Sequence, residues 1–120
     1  MAMKLRILSI HEQGNADKEY VWMEVLEDCN LDHYGLADTT YTSDDSISNK
    51  LRHFFWFPPK TVKKGHRVVL RTRAGTNNEY VTSDGKTVHG FFWGLKSAVW
   101  NDDGDAAVLF EINNWKTTRA

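Results

Sequence analysis

The feature that most constrains the fold is an apolar–polar alternation with a period of two residues. Residues 20–26, YVWMEVL, place Val21, Met23 and Val25 on one face of an extended chain. Residues 66–73, HRVVLRTR, direct three side chains to the core and four to the surface. The inward set is Val68, Leu70 and Thr72, and the outward set is Arg67, Val69, Arg71 and Arg73. Helical periodicity is nowhere sustained, so both segments are predicted to be strands.

Other short segments have the same character and are separated by turn residues. Residues 54–57 form an aromatic run that two prolines end, because proline cannot donate to a sheet ladder. A glycine turn at Gly65 precedes the next strand, and residues 83–86, SDGK, predict another turn. Further strands are expected at residues 4–10, 80–82 and 106–112. Many short strands with turns between them predict an all-β fold, an antiparallel β-sandwich.

The chain length and composition favour one globular domain over residues 1–120. The sequence has 120 residues, is 41% hydrophobic and 26% charged, and contains no repeat or low-complexity linker. Its one cysteine, Cys29, has no partner for an intramolecular disulfide. Arg6 interrupts the short apolar run at the N-terminus, so no signal peptide is predicted. A cytoplasmic location is therefore the default expectation, with an extracellular one if the domain is excised from a larger protein.

Charge is unevenly distributed along the chain although the net charge is only −1. Residues 1–45 carry ten acidic and three basic side chains, and residues 46–78 carry eight basic and no acidic ones. Six of these basic residues are the candidate binding residues, forming a positive stripe that would hold phosphates: Lys60, Lys63, Lys64, Arg67, Arg71 and Arg73. The alternative is that these residues lie on an ordinary solvated sheet face, and that the acidic residues of the first third of the chain neutralise their charge. Nucleic-acid binding is therefore expected to be weak.

Residues 101–105, NDDGD, have the composition of either a metal loop or a turn. A calcium-binding EF-hand loop needs a glycine at position 6, oxygen ligands at positions 1, 3 and 5, and a glutamate at position 12. With Gly104 at position 6, Val99 and Phe110 fall at positions 1 and 12, so the match fails. The segment is predicted to be a structural turn of Asn101, Asp102, Asp103, Gly104 and Asp105, with glycine at positive φ.

No catalytic or metal-binding motif is recognisable in the sequence. The five histidines have neither i, i+4 spacing nor a C-x-x-C partner, as zinc sites require: His11, His33, His53, His66 and His89. There is no glycine-rich phosphate loop and no G-x-S-x-G nucleophile motif. Nothing beside Cys29 argues for a lowered pKa of its thiol. The chain is therefore predicted to be non-catalytic, with no cofactor and no metal.

Several segments together resemble the lamin tail domain. GLKSAVWNDDGDAAVLFE is similar to the last third of that domain, and FPPKTVKKGHRVVLRT resembles its aromatic–proline pair, glycine turn and strand. EYVWMEV looks like an early strand, and LDHYGLADTTY is similar to a glycine-containing segment between strands. The resemblance covers roughly residues 4–113 in the family's order. It implies an immunoglobulin-like β-sandwich that binds a partner without catalysis, as a stand-alone or excised domain of bacterial type.

The sequence departs from the family at two places that bear on binding. Leu36 follows Gly35 where an aromatic residue is usual, and both faces of residues 106–112 are apolar. The resemblance places Ala107 and Leu109 inward, which leaves Val108, Phe110 and Ile112 on a face that either another segment or a partner covers.

Three functional classes therefore remain open. The resemblance favours protein–protein binding, and the basic residues suggest weak nucleic-acid binding. Carbohydrate binding is the third class, with Trp93, Trp100 or Trp115 as stacking platforms if these side chains are exposed.

Overall fold

The computed structural model describes residues 2–40, 50–100 and 105–120. Within these ranges the chain forms ten strands and one 3₁₀ turn, Leu31–His33. The strands are β1 (Leu5–His11), β2 (Tyr20–Val25), β3 (Cys29–Asn30), β4 (Tyr34–Thr40), β5 (His53–Trp56), β6 (Thr61–Val62), β7 (Arg67–Arg71), β8 (Asn78–Val81), β9 (Thr87–Phe92) and β10 (Asp105–Glu111). No helix in the described part of the chain is long and apolar enough to cross a membrane.

The strands form three sheets that enclose one core. The largest sheet has five strands in the order β1-β2-β7-β9-β8, the second has three in the order β10-β4-β5, and β3 pairs with β6. Leu70 and Met23 from the five-stranded sheet lie in the same buried cluster as Leu36 from the three-stranded sheet. The predicted all-β sandwich is therefore confirmed.

The alternation in β2 and β7 sets the register at the centre of the five-stranded sheet. Val21 pairs with Leu70 and Met23 pairs with Val68, and all four side chains are buried. Trp22 pairs with Val69 on the opposite, outer face. The inward residues were predicted correctly. Val69 lies on the outer face, as predicted, but it is 1% exposed, so the outer face is covered at this point and not solvated.

One strand pairing differs from the antiparallel arrangement that the sequence predicts. β7 and β9 run parallel, with Val69 opposite Gly90, whereas the other pairings among the described strands are antiparallel. The chain passes from β7 to β8 at the sheet edge and returns by a hairpin, which inserts β9 between them. Gly85, at φ +85°, lies in that hairpin, within the predicted turn at residues 83–86.

A buried carboxylate joins three separate segments at one end of the core. Glu19 is 1% exposed, and its Oε2 accepts hydrogen bonds from Thr72 Oγ1 at 2.5 Å and from Val99 N at 2.7 Å. Its Oε1 accepts a third from Gly14 N at 3.1 Å. Because a buried carboxylate is stable only when its oxygens are satisfied, these bonds fix the three segments to one another.

Candidate functional site

The lysines of the predicted basic stripe contact carboxylates on other parts of the chain. Lys60 Nζ lies 3.2 Å from Glu79 Oε1, and Lys63 Nζ lies 3.6 Å from Asp28 Oδ2. The hydrogen bond from Lys60 lowers the pKa of Glu79. Lys64 donates from its backbone N to Asp28 Oδ1, which lowers the pKa of that carboxyl. Lys60 and Lys63 are therefore partly neutralised, and for Lys63 the partner comes from the acidic first third, as the alternative from the sequence anticipated.

Of the three arginines, one is paired with a carboxylate, as two of the lysines are, and two lie over aromatic rings. Arg67 Nη1 lies 3.3 Å from Glu24 Oε2. The Arg71 guanidinium lies over the Tyr20 ring at 5.0 Å, and that of Arg73 over the Phe92 ring at 4.9 Å. Neither of these two has a carboxylate partner among the described residues.

We refer to Tyr20, Arg71, Arg73 and Phe92 as the arginine–aromatic face. Arg71 pairs with Tyr20 across β2 and with Phe92 across β9, which places these side chains on the outer side of the five-stranded sheet. His11 stacks on Tyr20 with ring centroids 4.8 Å apart. The rings are thus already covered by a cation or by another ring, while the guanidinium N–H groups keep donor capacity for an anion.

The NDDGD segment is described only at its last residue. Asn101, Asp102, Asp103 and Gly104 lie outside the described residues, so the turn stays a prediction. Asp105 begins β10, and Arg52 Nη1 lies 3.6 Å from its Oδ1. Trp100, just before the segment, is 3% exposed and belongs to the core.

The outer side of the three-stranded sheet carries a group of exposed aromatic residues, of which the sequence analysis considered Phe110 and Trp115 for binding but not Phe54 or Trp56. On β4, Gly35 pairs with Phe110 and Trp56, and Ala37 pairs with Val108 and Phe54. Phe54 and Trp56 are 44% and 43% exposed. Trp115 beside them is 45% exposed. These three side chains, with Val108 and Phe110 of β10, are what we call the aromatic face: Phe54, Trp56, Val108, Phe110 and Trp115.

Contacts between rings organise the aromatic face. Trp115 meets Trp56 edge to face at 5.1 Å, and Phe54 meets Phe110 at 6.0 Å. Trp56 Nε1 also donates to the Asp32 carbonyl at 2.7 Å, which holds its indole in place. Phe54 lies directly over Gly35, where a Cβ atom would collide with its ring. Glycine at this position of β4 therefore makes room for the face.

The strand β10, which contributes two of the five residues of this face, has the orientation that the resemblance implied. Ala107 and Leu109 of β10 pack against the core, and Val108 and Phe110 lie on the opposite side, only partly buried. Phe110 meets Phe54 of β5 at 6.0 Å across β4, so both sides of β10 have apolar neighbours, the core on one side and this ring on the other.

The three tryptophans considered for carbohydrate stacking fall in different environments. Trp100 is buried, and Trp93 packs against the core and meets Trp100 at 6.3 Å. Of the three, only Trp115 is exposed, and it joins Trp56, which the sequence analysis did not consider for this role.

Two histidines meet beside the five-stranded sheet, His89 on β9 and His66 directly before β7. His66 Nδ1 lies 2.9 Å from His89 Nε2, and His89 Nδ1 lies 3.4 Å from Glu79 Oε1. Burial lowers the pKa of His89. In the described ranges, no group of three or more His, Cys, Asp or Glu side chains is placed to hold a metal ion.

Cys29 lines a surface cavity of 520 Å³ together with Lys4, Tyr34 and Glu111. Burial raises the pKa of the Cys29 thiol, which disfavours the nucleophilic thiolate. Tyr34 Oη donates to Glu111 Oε2 at 2.8 Å and accepts from Lys4 N at 2.9 Å, so its hydrogen-bonding capacity is used inside the protein.

Comparison of the chain with protein-family models, with curated protein sequences and with solved structures gives no match. The resemblance to lamin tail domains therefore stays a prediction from the sequence.

Proposed function

We propose that this chain is a non-catalytic interaction module that binds a protein partner through the aromatic face. The observation that carries the proposal is the adjacent exposure of Phe54, Trp56 and Trp115 on one side of the three-stranded sheet. Exposed aromatic side chains that lie together are typical of protein interfaces, where they supply large contact areas at low entropic cost.

The geometry of the rings favours protein over carbohydrate as the ligand. A sugar stacks on a flat, open aromatic surface, whereas the planes of Trp56 and Trp115 meet at 85° and those of Phe54 and Phe110 at 61°. Such perpendicular rings form ridges and clefts into which apolar side chains pack. The resemblance to lamin tail domains, which implies a binding role, agrees with this proposal.

A photo-crosslinking experiment tests the proposal directly. A photoreactive phenylalanine analogue is placed at Phe54 in one variant and at Val81 in a matched control, because Val81 is 65% exposed on the other sheet. Both variants are irradiated in lysate of the source organism, and the adducts are identified by mass spectrometry. We expect a protein adduct that forms with the analogue at position 54 and not with the analogue at position 81. Adding Trp56→Ala to the position-54 variant should abolish this adduct.

Two outcomes would contradict the proposal. Equal adducts at both positions would mean that the aromatic face has no selective partner. Specific binding to a glycan array that Trp56→Ala and Trp115→Ala abolish would assign the face to carbohydrate.

Weak nucleic-acid binding is a second candidate function, and the arginine–aromatic face is the observation that favours it. Arg71 and Arg73 are positioned by the rings below them and have no carboxylate partner among the residues described. Guanidinium groups held in this way are well suited to phosphate oxygens. Since the net charge is −1, this binding is expected to be weak and sensitive to salt.

A further inference from the structure

Trp115 differs from the other members of the aromatic face because it belongs to no sheet. β10 ends at Glu111, and residues 112–120 form neither helix nor strand. The chain leaves the sheet at a fixed point, since Ile112 N donates to the His33 carbonyl at 2.7 Å and the Ile112 carbonyl oxygen lies 2.9 Å from His33 Nδ1. Beyond it, residues 113–120 are exposed and form no hydrogen bond or ion pair with the described part of the chain. We call residues 113–120 the strap.

The ring contacts of Trp115 attach the strap to the sandwich. Its ring meets Trp56 at 5.1 Å with the planes at 85°, and His33 at 5.5 Å with the planes at 65°. Ring pairs of this kind shift an equilibrium by only about two- to tenfold. Trp115 is also still 45% exposed, so little of its surface is held. The strap is therefore attached weakly enough for a ligand to displace it.

The position that Trp115 occupies is suited to an aromatic side chain, because one already lies there. Trp56 is held in place by the hydrogen bond from its Nε1 to the Asp32 carbonyl, so it presents the same edge-to-face contact to any ring that replaces Trp115. Phe54, 44% exposed on the same side of the sheet, extends the apolar surface next to it. A ligand with one aromatic anchor would thus reproduce the contact of the strap and add contacts to Phe54.

We propose that the strap is an internal, displaceable ligand of the aromatic face, and that the protein partner inserts an aromatic side chain where Trp115 now lies. This inference rests on the proposed function and adds the chemistry of the partner's anchor. Because the strap and the ligand compete, the apparent affinity for the ligand falls with the fraction of molecules in which Trp115 is in place. Removing the Trp115 ring should raise that affinity by about two- to tenfold.

Nuclear magnetic resonance of the Trp56 indole N–H, assigned with Trp56→Phe, tests this with a defined probe. The probe is a peptide with the strap sequence, NNWKTTRA. In Trp115→Ala the Trp56 signal should move, because the neighbouring ring is lost, and the peptide should return it towards its wild-type position. The peptide NNAKTTRA should have no effect. Tyr80→Ala, which removes an exposed aromatic residue of the other sheet, is the matched control and should bind NNWKTTRA as weakly as wild type does.

Backbone ¹⁵N relaxation tests the attachment of the strap without any ligand. Trp115 is exposed and follows the last strand, so Trp115→Ala should keep the fold while residues 113–117 become as mobile as residues 118–120. Unchanged mobility, no response of Trp56 to NNWKTTRA in Trp115→Ala, or equal peptide affinity in wild type and Trp115→Ala would overturn the inference. A wild-type dimer in sedimentation that Trp115→Ala abolishes would also overturn it, because the strap would then cover a second copy.

The peptide experiment and the crosslinking experiment fail separately. A specific adduct at position 54 without binding of NNWKTTRA to Trp115→Ala would overturn this inference and leave the proposed function standing. Peptide binding without a specific adduct would support the strap and contradict the proposed function.

Discussion

At the scale of single residues, Glu19 ties three separate segments of the described fold together. Glu19→Gln replaces one carboxylate oxygen by an NH2 group, so the side chain can no longer accept from Gly14 on one side and from Thr72 and Val99 on the other at the same time. Because the site is buried, the free energy of unfolding should fall by about 2–4 kcal/mol. Urea unfolding followed by tryptophan fluorescence measures this, with the exposed Glu27→Gln as control. A change equal to that of the control would mean that Glu19 has no such role.

Tyr34 is a second residue whose environment has a measurable consequence. Burial raises the pKa of its phenol from 10.0 to about 12, since the charged form would lose hydration. The folded protein therefore holds this proton more tightly than the unfolded chain. The corresponding stability is present below pH 10 and is lost as the pH rises towards 12.

Ultraviolet titration should therefore show a component that ionises late, near pH 12, and that belongs to Tyr34. Tyr34→Phe should remove that late component and leave the remaining phenols unchanged. A wild-type curve in which all tyrosines ionise together near pH 10 would contradict the expected shift.

Residue-level features of the candidate sites were only partly predictable from the sequence. The basic residues were identified, but the partners of Lys60 and Arg67 were not, because Glu24 reaches Arg67 through the pairing of β2 with β7 and Glu79 reaches Lys60 only in the folded chain. The sequence analysis likewise gave His89 no role. His89 is buried and contacts His66 because β9 lies between β7 and β8 and runs parallel to β7.

At the scale of secondary-structure elements, six of the strands were predicted, whereas β3, β4, β6 and β9 were not. The burial of β2 follows the period-two pattern, while that of β7 departs from it at Val69. β4 was not predicted as a strand because Gly35 and Asp38 are poor strand formers and because the strand is buried on both faces, which removes the alternation. β9 was missed for a similar reason, since Gly90 and His89 interrupt its apolar residues.

Gly35 in β4 connects strand structure with the aromatic face. In Gly35→Ala the new methyl group would meet the far end of the Phe54 ring, which is exposed and able to rotate away. We expect the fold to be retained, while Phe54 leaves its position against Phe110 and capture of the protein partner falls. Proton NMR of the Phe54 ring detects the movement.

Gly90→Ala is a suitable control for this change. It adds a methyl group to a strand glycine of the other sheet, next to Asn78, without touching the aromatic face. Unchanged Phe54 resonances in Gly35→Ala, or equal loss of capture in both variants, would show that Gly35 does not support the face.

At the scale of the whole molecule, the sandwich separates two surfaces of different chemistry. The aromatic face lies outside the three-stranded sheet, and the arginine–aromatic face lies outside the five-stranded sheet. The alternation of side chains predicts which residues leave the core. It does not predict which strands become neighbours, so residues 53–56 and 105–111 became one surface only in the folded chain. A protein partner and a polyanion can therefore be tested as independent ligands.

Nucleic-acid binding tests whether the basic residues act as one stripe or as separate groups. Arg71 and Arg73 are available for phosphate, whereas Lys60 and Lys63 are paired with carboxylates. Two phosphate contacts predict that affinity for a labelled duplex falls by about tenfold between about 50 and 200 mM salt, without sequence preference. The measurement is fluorescence anisotropy at both salt concentrations.

Two triple variants separate the possibilities. Arg67/Arg71/Arg73→Ala should abolish the weak binding, because it removes the guanidinium donors that face solvent above Tyr20 and Phe92. Lys60/Lys63/Lys64→Ala should retain most of it, since two of those ammonium groups already contact Glu79 and Asp28. An equal loss in both variants would mean that the six residues act as the continuous stripe predicted from the sequence. Tight or salt-insensitive binding would contradict a purely phosphate-directed mode, because such contacts weaken as counterions compete.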